Sequence, residues 1–159
     1  MALVNFDFYE GEEKYGGASV KGEDEFNRIL KRAMAFLNKR TFNRIIQNEN
    51  REYGQMVHGK FLPFSDQELT ALKYGLCGLV DTMAKLEKAE IQALAGNESA
   101  GNIKSRSSGG ESISYESHKT VYDEALADQA KKDELLRSAL MEFIHPDAFR
   151  YNPFYAGSW

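Results

Sequence analysis

A mainly α-helical domain is predicted: a small bundle of about three main helices, with a long hairpin-like loop before the last helix and extended terminal arms. Three observations carry this. Apolar residues recur at three- and four-residue steps over three long stretches, a strong helix-start signal precedes the longest of them, and a Ser/Gly/Asn-rich stretch separates the last two. With 159 residues, 42% of them apolar, the chain has the material for one substantial core.

Residues 1–22 combine Phe6, Phe8, Tyr9 and Tyr15 with Gly11, Gly16 and Gly17, so packing groups are present without a sustained helical period. This segment is expected to be an arm that docks on something. From Asp24 the pattern changes: Phe26, Ile29, Leu30, Ala33, Leu37 and then Ile45 mark one helical face, with an interruption expected around Thr41. Glu23, Asp24 and Glu25 suit the positive end of the helix dipole, and Lys39, Arg40 and Arg44 suit the negative end. The polar stretch from Gln47 to Gly59 reads as a connection.

Ser65-Asp66-Gln67-Glu68 is a capping box: the Ser65 hydroxyl can accept from the amide three residues on, and Glu68 can reach back to the Ser65 amide. Behind it Leu69, Leu72, Leu76, Leu79, Val80, Met83 and Leu86 keep the helical period, which continues through Ile91 and Leu94 to a stop at Gly96. Gly75 and Gly78 cost this helix about 1 kcal/mol each relative to alanine, so close approach of a neighbouring helix is expected there. Residues 96–120 form the loop, with Gly109-Gly110 as the turn of a hairpin, Ile103 to Arg106 on one side and Ser112 to Glu116 on the other. A third helix is expected from Val121 through Leu135, Leu136, Ala139 and Leu140 to Ile144, stopped by His145-Pro146. The segments thus read as an arm (1–22), a helical domain (23–145) and a tail (146–159). The tail holds Phe149, Tyr151, Phe154, Tyr155 and Trp159, a docking set that either folds back on the helices or seats on a partner.

Twenty basic residues against 24 acidic ones give a net charge of −4, which argues against a chain held on nucleic acid by bulk charge. The one cysteine, Cys77, allows no intramolecular disulfide and lies in an apolar run. A reducing, cytoplasmic setting is expected, and neither a signal peptide nor a membrane-spanning run is evident. Asn97-Glu98-Ser99 matches a glycosylation sequon by chance. His58, His118 and His145 are too scattered for a metal pair, and no phosphate-cradling motif is present. No enzyme, cofactor or metal is expected.

The order of a basic first helix, a long apolar second helix, a Ser/Gly-rich loop and a terminal helix resembles the head-tail connector (adaptor) family of tailed bacteriophages. In that family the loop before the last helix commonly runs from Ile-Lys-Ser through a glycine-containing turn to Ser-x-Ser-Tyr. Here Ile103-Lys104-Ser105 leads through Gly109-Gly110 to Ser112-Ile113-Ser114-Tyr115. The resemblance covers Phe26 to Ile144 and leaves out the first segment and the tail. It implies a virion neck protein, assembled in the host bacterial cytoplasm during head completion and tail joining. It further implies a homo-oligomeric ring, a dodecamer in the virion, bound to the portal protein and the next head-completion or tail protein, and lining the passage of double-stranded DNA.

A ring needs two unlike surfaces per subunit. Arg28, Lys31, Arg32, Lys39, Arg40 and Arg44 make the first helix basic, and Asp123, Glu124, Asp128, Asp133, Glu134 and Glu142 make the last one acidic. Opposed patches of this kind would steer neighbours and set their register, whereas pairing within one subunit is the plainer alternative. In the loop, Ile103, Lys104, Arg106, Gly109, Gly110, Ile113 and Tyr115 are the candidate contacts. Glu111 and Glu116 dilute the basic charge there, which favours a neighbouring subunit or the portal over DNA. The alternative function is a DNA-binding helical module using the basic first helix.

Overall fold

The computed structural model describes residues 3–41, 45–95, 106–108, 111–113 and 120–144, with 106–108 and 111–113 described by their backbone. Within these residues the chain is mainly helical, and its three main helices pack together. They are α2 (Glu23–Arg40), α3 (Asp66–Ala95) and α5 (Gln129–Met141), accompanied by two short helices, α1 (Phe6–Glu10) and α4 (Val121–Leu126).

The first segment docks on its own chain. Asn5 caps α1 by accepting from the Phe8 amide at 3.0 Å, and Leu3, Val4, Tyr9 and Val20 lie in the core. Tyr9 is fully buried, with its ring 5.3 Å from that of Phe26. Its hydroxyl donates to the Asp81 carboxylate at 2.9 Å and accepts from the amides of Ser19 and Val20 at 3.1 and 3.2 Å. One phenol therefore ties residues 9, 19 and 20 to α3 and satisfies amides that burial would otherwise strand.

Burial and the neighbouring Asp81 push Tyr9 up to about 12. Burial, with a further push from Asp81, also takes Cys77 up to about 12. Folding thus favours the neutral forms, and that stabilisation is complete below the ordinary values of 9.0 and 10.0 and is lost as pH rises towards 12. Thermal melts should fall steeply over this alkaline window, and less steeply for Tyr9→Phe. Equal slopes in the two proteins would rule out Tyr9 as a contributor.

The periodicity of α2 ends where its buried face ends. Phe26, Ile29, Leu30, Ala33 and Leu37 are buried, and the Thr41 hydroxyl and amide both bond back to the Leu37 carbonyl at 2.9 Å. Ile45, expected on the same helix, instead begins a strand. Likewise the stretch from Gln47 to Gly59, expected to be a connection, belongs to a three-stranded antiparallel sheet of order β1 (Ile45–Gln47), β2 (Tyr53–Val57), β3 (Lys60–Pro63).

Local turn chemistry explains the sheet. Asn48 accepts from the Glu52 amide at 2.8 Å through its side chain and receives the Arg51 amide at its carbonyl at 3.0 Å. Arg51 sits at φ 62. His58 and Gly59, at φ 50 and 75, make the two-residue connection that joins Val57 to Lys60 in the primed-turn geometry of a tight hairpin.

The capping box of α3 forms as predicted: Glu68 N donates to Ser65 Oγ at 3.2 Å and Ser65 N donates to the Glu68 carboxylate at 2.8 Å. Ser65→Ala is expected to lower unfolding free energy by about 1 kcal/mol in urea titration. No change would mean that tertiary packing alone sets the start of the helix.

Gly75 and Gly78 do mark the helix contact. A Cβ on Gly75 would lie 2.8 Å from Ile144 Cδ1 and 3.1 Å from Leu140 Cδ1, and one on Gly78 would lie 3.2 Å from the Ala139 carbonyl oxygen. The predicted third helix is broken in two. Thr120 and Asp123 form a reciprocal capping box at the start of α4, and Asp128 restarts the chain by capping Ala130 N at 2.9 Å, beginning α5.

A second sheet pairs β4 (Arg106–Ser108) antiparallel with β5 (Glu111–Ile113), with Ser108 opposite Glu111 across Gly109-Gly110. The hairpin register therefore centres where the sequence placed it. β4 runs two residues past the expected end at Arg106 and β5 begins one residue before the expected start at Ser112, and the rest of the expected spans, 103–105 and 114–116, lies outside the described residues.

Candidate functional site

The candidate contact surfaces start from the charged side chains of α2. Arg28 makes a two-pronged pair with Glu87 of α3, at 3.0 and 2.7 Å, and Arg32 donates to the same carboxylate. The hydrogen bond from Arg28 is the largest influence lowering the Glu87 pKa, and it outweighs partial burial. Arg40 stacks on the Phe36 ring at 5.1 Å and pairs with Asp133 of α5 at 3.3 Å. The basic face expected on α2 is thus partly spent inside the subunit. Lys31 and Lys39 are exposed and have no ion pair among the described residues.

The acidic face divides in the same way. Asp123 bonds to the Thr120 amide and hydroxyl, both at 2.8 Å, and these bonds hold its carboxyl below the usual range. Asp128 caps α5. Glu124 and Glu134 remain exposed beside Lys131, where they line a shallow recess of about 270 Å³ together with Val121 and Leu135. A surface ion pair such as Arg40–Asp133 contributes about 0–1 kcal/mol, so a partner can displace it at small cost.

Of the candidate loop contacts, Arg106 and Ile113 are opposite each other in the β4–β5 ladder. Ile103, Lys104, Gly109, Gly110 and Tyr115 lie outside the described residues, as do Arg44, Asn97, His118 and His145. The whole tail set of Phe149, Tyr151, Phe154, Tyr155 and Trp159 lies outside them too.

Sequence reasoning missed a cleft of about 560 Å³ between the first segment, the β1–β3 sheet and the start of α3. Val4, Phe8, Phe64 and Leu69 give it an apolar floor, while Arg51, Asp66 and Lys73 stand at its rim. The Lys73 ammonium sits 5.8 Å over the Phe8 ring. An Asn cap ahead of closely spaced aromatics, Asn5-Phe6-Asp7-Phe8-Tyr9, was the available signal that this segment is a folded wall.

Four side chains gather at half-buried Asp81: Tyr9, Ser19, Lys85 and, through Lys85, Tyr122. Burial raises the Asp81 pKa, but hydrogen bonds from Lys85, Ser19 and Tyr9 outweigh it and the net shift is downward. The Lys85 pair at 2.7 Å makes this a satisfied structural network. Among the described residues no group of three or more His, Cys, Asp or Glu side chains could hold a metal ion, and no helix is long and apolar enough to cross a membrane.

The fold and these surfaces define a mainly helical domain with an apolar cleft and two partly neutralised charged faces. No protein-family model, curated protein or solved structure matches the chain.

Proposed function

We propose that the chain is a structural head-tail connector subunit that assembles as a ring on a phage portal, surrounds the DNA passage and catalyses no reaction. The observation that carries this reading is the β4–β5 hairpin centred on Gly109-Gly110 and inserted between α3 and the last helices. It is the element through which the sequence resembles that family. A two-stranded hairpin has free edges, and an edge can add to a strand of a neighbour. Exposed Lys31 and Lys39 on α2, with Glu124 and Glu134 on α4 and α5, supply the unlike charges that a rotationally closed ring needs to set its register.

The two-pronged pairing of Arg28 with Glu87, shared by Arg32, and the net charge of −4 weigh against the alternative, a DNA-binding module on α2, because they leave little free positive charge among its described residues to release counterions from phosphate. Sedimentation of the chain, alone and with a cognate portal, tests the proposal. A ring on the portal is expected, with register weakened by Lys31→Glu together with Lys39→Glu. A protein that stays monomeric at high concentration and ignores the portal would sink it.

A further inference from the structure

We propose that the cleft floored by Val4, Phe8 and Leu69 is the docking site for the aromatic C-terminal segment, residues 149–159, of the same chain. The geometry starts from the direction of α5. Its Ala139 carbonyl faces Gly78 and its Ile144 side chain faces Gly75, so the chain descends α3 towards the helix start as it leaves the bundle. Further down the same helix, Lys73, Leu69 and Asp66 line the cleft.

A run of rings marks the route. Phe143 stacks on Tyr74 at 5.6 Å, Tyr74 meets Phe8 edge-on at 5.4 Å, and Phe8 lines the cleft. The cleft thus begins two ring contacts from the last turn of the bundle. The residues from His145 to Trp159 could span about 50 Å if extended, far more than this distance requires.

The chemistry of occupant and site agree. Phe149, Tyr151, Phe154, Tyr155 and Trp159 put five aromatic side chains within eleven residues. Aromatic residues supply large apolar area with few rotatable bonds, which suits an apolar floor with a polar rim. At about 560 Å³, the cleft falls within the range of about 300–1,000 Å³ typical of sites that enclose compact groups. Tethering favours the chain's own segment over a second copy, because a short linker presents it at an effective concentration of order millimolar.

Trp159 is the only tryptophan, so its fluorescence in the full-length chain reports the docking directly. At low protein concentration its emission should be blue-shifted from that of free tryptophan, and Leu69→Asp should remove most of that shift. Because Leu69→Asp places a charge beside the core, circular dichroism must show a folded variant. A second reading avoids the question. A nitroxide on Asp66→Cys at the rim should quench Trp159 several-fold more than one on Gln92→Cys at the far end of α3. Cys77 is buried and stays unlabelled.

Emission at the free-tryptophan position would overturn the proposal, as would equal quenching from the two labels. A blue shift that develops only as concentration rises would also overturn it, in favour of docking on another copy.

Discussion

Phe26→Ala is expected to lower the free energy of unfolding by about 3–5 kcal/mol, a large share of the roughly 5–15 kcal/mol that holds a domain together. Phe26 is fully buried on α2, and its ring meets Phe6 at 5.8 Å and Tyr9 at 5.3 Å. Removing it opens a cavity between α2 and the first segment and takes away the surface on which Tyr9 is seated. The Tyr9 hydroxyl holds the Ser19 and Val20 amides, so the damage should spread along residues 5–20. Urea titration would measure the loss, and limited proteolysis should show new cutting in that segment before the rest of the chain. A cost below about 1 kcal/mol would mean that the site collapses around the deletion and that the segment is not integral to the core.

Gly54→Ala is expected to cost about 3 kcal/mol, at the upper end for overpacking. A Cβ there would lie 2.3 Å from the Leu62 carbonyl oxygen and 2.6 Å from the Phe61 ring. The ring could move, but the carbonyl belongs to the paired strand, so β2 and β3 must part. Gly59→Ala makes the comparison. Nothing lies within 4 Å of its Cβ, and only the positive φ of 75 opposes the side chain. Its cost should be about 1 kcal/mol, the ordinary preference for glycine in that conformation. Equal losses for the two variants in thermal melts would refute the close approach at Gly54.

Much of this architecture is legible in the sequence wherever a signal is local and repeated. The face of Leu72, Leu76, Leu79 and Val80, the Ser65–Glu68 capping box and the two glycines of α3 were all readable, because helix period and capping depend on residues three or four apart. Gly109-Gly110 likewise marked the centre of the β4–β5 register. The sheet from Ile45 to Pro63 was not readable in this way. Its strands have three to five residues, too few for a clear alternation, and their hydrogen bonds come from one another. The break before Asp128 was hidden for a related reason, since Ala125, Leu136 and Leu140 continue an apolar pattern across it while one carboxylate caps a new helix.

The candidate site divides along the same line. Residue types and spacing marked α2 as basic and the last helices as acidic, but which charges stay available depends on long-range partners. Arg28 and Arg32 meet Glu87 more than fifty residues away, and Arg40 meets Asp133 across the bundle. The cleft lined by Phe8 depends on three separate segments, and although the Asn5 cap and its aromatics mark one of them as folded, no local pattern marks the space that the three enclose.

The sequence by itself determined the helical class, the start of α3, the close approach of a neighbour to α3 at Gly75 and Gly78 and the place of the hairpin, because each follows from local geometry. Only the tertiary structure decided that the segment 3–22 packs on the core through Leu3, Val4, Tyr9 and Val20, that a sheet joins α2 to α3 and which charged groups remain exposed. Those outcomes rest on burial and pairing between residues far apart in the chain, which no local pattern encodes.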